Sequence, residues 1–103
     1  MYARFVSTHM KPGLFPKATE KLAKDVLPVL KKQTGFRDEL SFFDDKKDEA
    51  IAISFWNTKA DADRYGRELY PKVREKMAEL YEGTPTIREF EVANSTWYDI
   101  HAA

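Results

Sequence analysis

The sequence predicts an α+β fold in which a four-stranded antiparallel sheet carries two helices on one face. Three observations carry that expectation. Across residues 50–56 large and small side chains alternate with period two, and from Asn57 to Tyr65 the spacing becomes helical, so a strand runs directly into a helix. The very polar run Asp44-Asp45-Lys46-Lys47-Asp48-Glu49 separates two strand-like stretches and reads as the exposed loop of a hairpin. Finally, a strand–helix–strand unit occurs twice within 103 residues.

The first strand is expected at Tyr2–Met10, a mixture of aromatic, β-branched and polar residues that ends at the turn signal Lys11-Pro12-Gly13. Its two faces, Ala3, Phe5, Ser7, His9 and Arg4, Val6, Thr8, Met10, are both mixed, so parity alone does not choose the inward one. Pro16 suits the first turn of a helix, where a missing N–H costs nothing, and Gly35 suits the residue beyond its end near Thr34. Leu22, Val26, Val29 and Leu30, with Ala18 or Ala23, share one side of that helix, and Pro28 should kink it.

Residues 36–43 return as the second strand and residues 50–56 as the third. Asn57 or Thr58 caps the second helix, with Asp61 completing a capping box from Thr58. Tyr65, Leu69, Val73, Met77 and Leu80 form its core stripe, interrupted at Tyr70-Pro71. Gly83 and Pro85 are expected to stop the helix, and residues 86–92 to form a fourth strand that continues toward Tyr98. Two right-handed strand–helix–strand halves then give the ferredoxin-like βαββαβ arrangement as a single domain over residues 1–103.

Such a sheet has two substantially apolar faces. If Ala52, Ser54 and Trp56 turn toward the helices, Ile51, Ile53 and Phe55 lie on the other face, where a second copy would cover them. A homodimer through the sheet face is therefore expected.

Composition narrows the partners. Seventeen basic and seventeen acidic side chains cancel, so bulk charge draws the chain neither to nucleic acid nor to an anionic membrane. No cysteine is present, which excludes disulfides, thiolate metal sites and cysteine nucleophiles and suits a reducing, cytoplasmic setting. No apolar run approaches the ~20 residues of a membrane span. Aromatic residues make up 14% of the chain, more than a core this small needs, so some should line a cavity or an interface.

Few residues offer chemistry. His9 could remove a phenol proton or hold an oxyanion, with Ser7 on the same face, although a histidine at a strand end also serves simple structural roles. Trp56 could stack on an aromatic ligand or belong to the core, with Ser54 beside it leaving space. Tyr65 and Tyr70 carry hydroxyls that could orient a polar group, although Tyr65 also fits the apolar stripe. His101 is expected in solvent near the chain end. Two distant histidines without a carboxylate at helical spacing make no metal site, and no Gly-rich phosphate loop or serine nucleophile motif is present.

Lys11-Pro12-Gly13, Gly35-Phe36, Ser54-Phe55-Trp56-Asn57 leading into Ala60-Asp61-Ala62, and Phe90-Glu91-Val92 together resemble the antibiotic biosynthesis monooxygenase-like domains of the dimeric α+β barrel superfamily. The resemblance spans nearly the whole chain. It implies sheet-to-sheet dimerisation into a barrel, with a pocket in each subunit between sheet and helices. It also implies a cofactor-independent monooxygenase, or a related isomerase, acting on a small aromatic or quinone-like compound; the alternative is a non-catalytic dimeric ligand-binding or scaffold protein. The haem-degrading branch places an asparagine on the first strand and a histidine on the second helix, and this sequence has neither, so no cofactor is expected. The phenol-oxidising branch uses a tryptophan and a tyrosine, and Trp56 matches the first. On this reading His9 is the catalytic candidate and Ser7, Ser54, Trp56 and Tyr65 line the substrate pocket.

Overall fold

The computed structural model describes residues 1–97. Its elements run β1 (Tyr2–Met10), α1 (Phe15–Lys21), a π-helical turn (Leu22–Val26), α2 (Leu27–Lys31), β2 (Phe36–Asp44), β3 (Glu49–Trp56), α3 (Lys59–Glu68), α4 (Tyr70–Met77), a 3-10 turn (Ala78–Leu80) and β4 (Tyr81–Glu91). The strands form one antiparallel sheet in the order β2-β3-β1-β4. The expected α+β, ferredoxin-like sheet with its helices on one face is what the chain adopts.

Register decides which side of β1 faces the helices. Tyr2 pairs with Trp56, Arg4 with Ser54 and Val6 with Ala52, and directly paired residues of antiparallel strands share a face. Trp56 is wholly buried in the cluster that also holds Val26, Leu30, Tyr65, Met77 and Leu80. Burying side chains such as Leu80 and Val26 contributes roughly 1.5–3 kcal/mol each. The even residues of β1 therefore lie under the helices. On the opposite face Ala3 and Phe55 are buried among Met1, Phe5, Leu40, Ile53 and Val92.

The two prolines of the helical layer act differently. Ahead of Pro28 the Leu27 N–H reaches back five residues to the Leu22 carbonyl, so an extra residue is taken up before the ring and Pro28 sits in the first turn of α2, where it displaces nothing. The helix ends at Lys31, three residues before the expected Thr34, and Gly35 follows with φ 80°. At Tyr70-Pro71 the expected interruption is present: α3 stops at Glu68 and α4 restarts at Tyr70. The Leu69 carbonyl accepts from the N–H groups of both Lys72 and Val73, which starts the new helix.

Thr58 is the cap of α3, its hydroxyl accepting from the Asp61 N–H at 3.1 Å. Gly83 and Pro85 do not end a helix. β4 begins at Tyr81, and residues 83–85 form a bulge opposite Thr8, where the pairing passes from Ser7 with Thr86 to His9 with Glu82. Gly83 takes φ 79° there, a conformation in which glycine carries no Cβ penalty. β4 ends at Glu91, so the expected continuation through residues 94–97 is not a strand, and Tyr98 and His101 lie outside the described residues.

Candidate functional site

Two cavities of about 70 Å³ each lie between the sheet and the helices. One is bordered by Arg4, Glu39, Ser54, Tyr65, Tyr70 and Tyr81 among apolar side chains, the other by Phe15, Ala18, Thr8 and Met10. Val6, Leu22, Ala52, Met77 and Tyr81 border both, so the cavities are neighbouring lobes divided by a wall of side chains. Leu22 belongs to the π-helical turn, a distortion that commonly accompanies ligand sites. At the outer lobe Phe15 stacks on Phe43 with ring centroids 3.8 Å apart.

Arg4 dominates the electrostatics of the inner lobe. Its side chain is 6% exposed, and its ion-pair partner Glu89, which it faces across β1 and β4, stands 3.7 Å away. That separation is too long for a hydrogen bond. The guanidinium instead lies over the rings of Tyr70, at 4.7 Å, and Tyr65, at 5.9 Å, which stabilises a desolvated cation. Gly66 leaves room for this approach: a Cβ there would come within 2.9 Å of Arg4 Nη1, close enough that the guanidinium would have to shift. Arg4 Nε, Tyr70 Oη and Glu89 Oε2 are buried without hydrogen-bond partners among the described residues. Buried polar groups left unpaired are costly, so such groups commonly await a water or a ligand.

The hydroxyls and carboxyl around this cation are tuned by burial. Burial pushes the Tyr65 phenol far above its ordinary range, against the Arg4 charge, which pulls it down. Tyr70 is raised for the same reason, with Arg4 and Arg74 opposing, and Tyr81 is pushed up to about 12. All three remain neutral donors at neutral pH. Burial also raises Glu39, against the Ser41 hydroxyl, which donates to its two carboxylate oxygens at 3.0 and 2.6 Å.

The sequence-predicted residues divide between the two faces. Ser54 and Tyr65 border the inner lobe. Trp56 is fully buried and lines neither lobe: its indole N–H donates to Ser54 Oγ at 2.9 Å and its ring stacks on Tyr65 at 5.0 Å, so it holds two lining residues from behind. Ser7 and His9 do not join them. Ser7 pairs with Ile51 and His9 with Glu49 on the face away from the helices, where His9 is exposed. The expected reach of His9 into the void fails because β1 presents its even residues there. Arg4, Glu39 and Tyr81 escaped the sequence reading. The usable signal was the pairing of β1 with β3: once Trp56 faces inward, Arg4 opposite Ser54 must do so too, and Glu39 follows from its own pairing with Ser54. Among the described residues no cluster of three metal-ligating side chains occurs, and no helix is long and apolar enough to cross a membrane.

With this architecture in hand, solved structures of the same shape can be compared. A monooxygenase of Streptomyces coelicolor from the gene ActVA-Orf6, solved with the ligand nanaomycin D, superposes with TM-score 0.73 at 14% identity, over 86% of this chain and 84% of that one. A second structure, described as an antibiotic biosynthesis monooxygenase, gives 0.69 at 14% identity over 89% and 98%. The chain has the antibiotic biosynthesis monooxygenase-like fold. A mutant of MhuD solved with two manganese protoporphyrin IX molecules per active site shares this fold as well, with TM-score 0.77 at 11% identity over 94% and 99%. At these identities the likeness is one of fold alone. No family model matches the sequence. Two uncharacterized proteins of Mycobacterium tuberculosis are each 28% identical over 93 residues, covering 90% of this chain and 41% of theirs. The chain thus spans less than half the length of those relatives.

Proposed function

We propose that this protein is a cofactor-independent monooxygenase of small aromatic or quinone-like compounds, binding them in the lobes beneath its helices and working as a homodimer through the opposite face of the sheet. The observation that carries the reading is the buried Arg4 guanidinium, which meets a cavity with Nε and the neighbouring Tyr70 hydroxyl unpartnered. A hydroxy-arene reacts with dioxygen through its oxyanion, and a desolvated cation flanked by neutral phenol donors stabilises an oxyanion where it forms. One oxygen atom then enters the ring carbon and the other leaves as water, with the electrons drawn from the substrate. Ser54 and Tyr65 shape the slot and Trp56 holds them in place. In this reading Ser7 and His9 serve the subunit interface rather than the reaction.

The volume supports a small substrate. An engineered cavity of about 150 Å³ holds one benzene. Each lobe here is about half that, so one or two fused rings require both lobes and displacement of Leu22 or Met77 from the dividing wall. Incubation with 1,5-dihydroxynaphthalene under oxygen-18 tests the proposal: the expected product is the hydroxynaphthoquinone carrying one labelled atom. Binding of the diol without any oxygen-dependent product would instead leave a ligand-binding module.

A further inference from the structure

Glu39 is the one carboxyl-bearing residue among those that border the inner lobe. It borders the inner lobe together with Arg4, and it also borders a separate surface groove formed with Leu27, Lys31, Phe36, Arg37 and Asp38. Glu39 thus links the enclosed slot to the outside on the α2 and β2 side, as Tyr70 does on the α4 side. Ser41, on the same strand and face, donates to its oxygens and leaves further lone pairs free. We propose that Glu39 is the proton acceptor of the site, taking the hydroxyl proton of a neutral hydroxy-arene whose oxyanion remains on Arg4 and Tyr70, and holding that proton for as long as the ligand is bound.

The inference rests on the inner lobe being the ligand site and adds the base and the charge state of the ligand. Charge balance favours a ligand that enters neutral. A preformed anion would stand beside the Glu39 carboxylate as well as the Arg4 guanidinium, whereas a neutral phenol brings no second charge into an apolar cavity. In the transfer the ligand O–H bond breaks, its electron pair stays on the ligand oxygen, and a new O–H bond forms on Glu39. The slot therefore holds the same net charge before and after. The other titratable groups that border the same lobe are Arg4 from β1, Tyr65 from α3, Tyr70 from α4 and Tyr81 from β4, and those that border the same groove are Lys31, Arg37 and Asp38. Burial that makes Glu39 a stronger proton acceptor acts in the same direction.

Para-nitrophenol, yellow only as the phenolate and inert toward dioxygen, tests this without any turnover. At a mildly acidic pH, where the free probe is largely colourless, the wild-type protein is expected to bind it yellow. Calorimetry in buffers of differing ionisation enthalpy should then find little proton released. Glu39→Gln should bind it yellow with close to one proton passed to the buffer, because the acceptor is gone while Arg4 remains. Tyr70→Phe and Arg4→Met should weaken the yellow complex, the latter by roughly tenfold or more, the scale of a lost hydrogen bond to a charged group. A colourless complex with the wild type, or equal proton release from wild type and Glu39→Gln, overturns the proposal. Both are read on folded protein and without dioxygen, so a failure of the oxygenase reading leaves this result standing, and the reverse.

Discussion

Arg4 and the phenols around it make the alkaline limb of stability a property of single residues. The folded-state pKa values of Tyr65 and Tyr81 lie above the ordinary 10.0, Tyr81 at about 12, so the fold favours the neutral phenol. That contribution is fully present below pH 10 and is lost as the pH rises through the folded values. Tyr65→Phe and Tyr81→Phe should each flatten the fall of melting temperature between pH 10 and 12, and an unchanged slope in both would remove burial as its cause. Trp56 yields a second expectation. Its ring is at 0% exposure, backs Tyr65 and bonds Ser54, so Trp56→Ala should cost about 3–5 kcal/mol of folding stability in urea titration as well as weakening the slot. At this scale the sequence was only half legible. Trp56 and Tyr65 are large and announce themselves, whereas Arg4 sits on a strand whose two faces are equally mixed, and an arginine there reads as solvated until its pairing with Ser54 is known.

Among the elements, the turns fixed by glycine offer the sharpest contrast. Gly13 and Gly35 both take φ near 80°, a region that costs an L-residue roughly 1–2 kcal/mol. A Cβ at Gly13 meets nothing within 4 Å, while one at Gly35 would strike the Asp61 carboxylate that closes the Thr58 capping box. Gly13→Ala should therefore cost only the backbone term, about 1 kcal/mol, and Gly35→Ala more than about 2, together with a loosened start to α3. Equal losses in chemical denaturation would mean that the Asp61 side chain moves aside freely. Both glycines were legible as helix and strand punctuation, and so was the interruption at Pro71. The start of β4 was not, because Gly83 and Pro85 carry the same local signal whether they end a helix or bulge a strand. The long-range pairing of Tyr81 with Met10 and Glu82 with His9 decides it, and no window of local sequence contains that information.

For the whole molecule the open question is what covers the second face of the sheet. Phe42 is 55% exposed and Phe90 41%, and they flank half-buried Phe5, Leu40 and Ile53 on the side away from the helices. A stable interface of ordinary size covers about 800 Å² on each partner, and a four-stranded face of this kind is of that order. The expected state at micromolar concentration is therefore a dimer of the 12.0 kDa chain. Phe42→Lys and Ile53→Asp should each give a monomer in sedimentation, since each places a charge where the partner would desolvate it. Ile53 borders neither lobe, so para-nitrophenol binding should survive in the Ile53→Asp monomer. Ile53→Ala is the more discriminating variant. Because Ile53 is only half-buried within one subunit, its loss should lower the melting temperature mainly at protein concentrations where wild type is dimeric, and little at high dilution. A loss independent of concentration would show that Ile53 stabilises the single subunit and that the second face is closed by something other than a second copy.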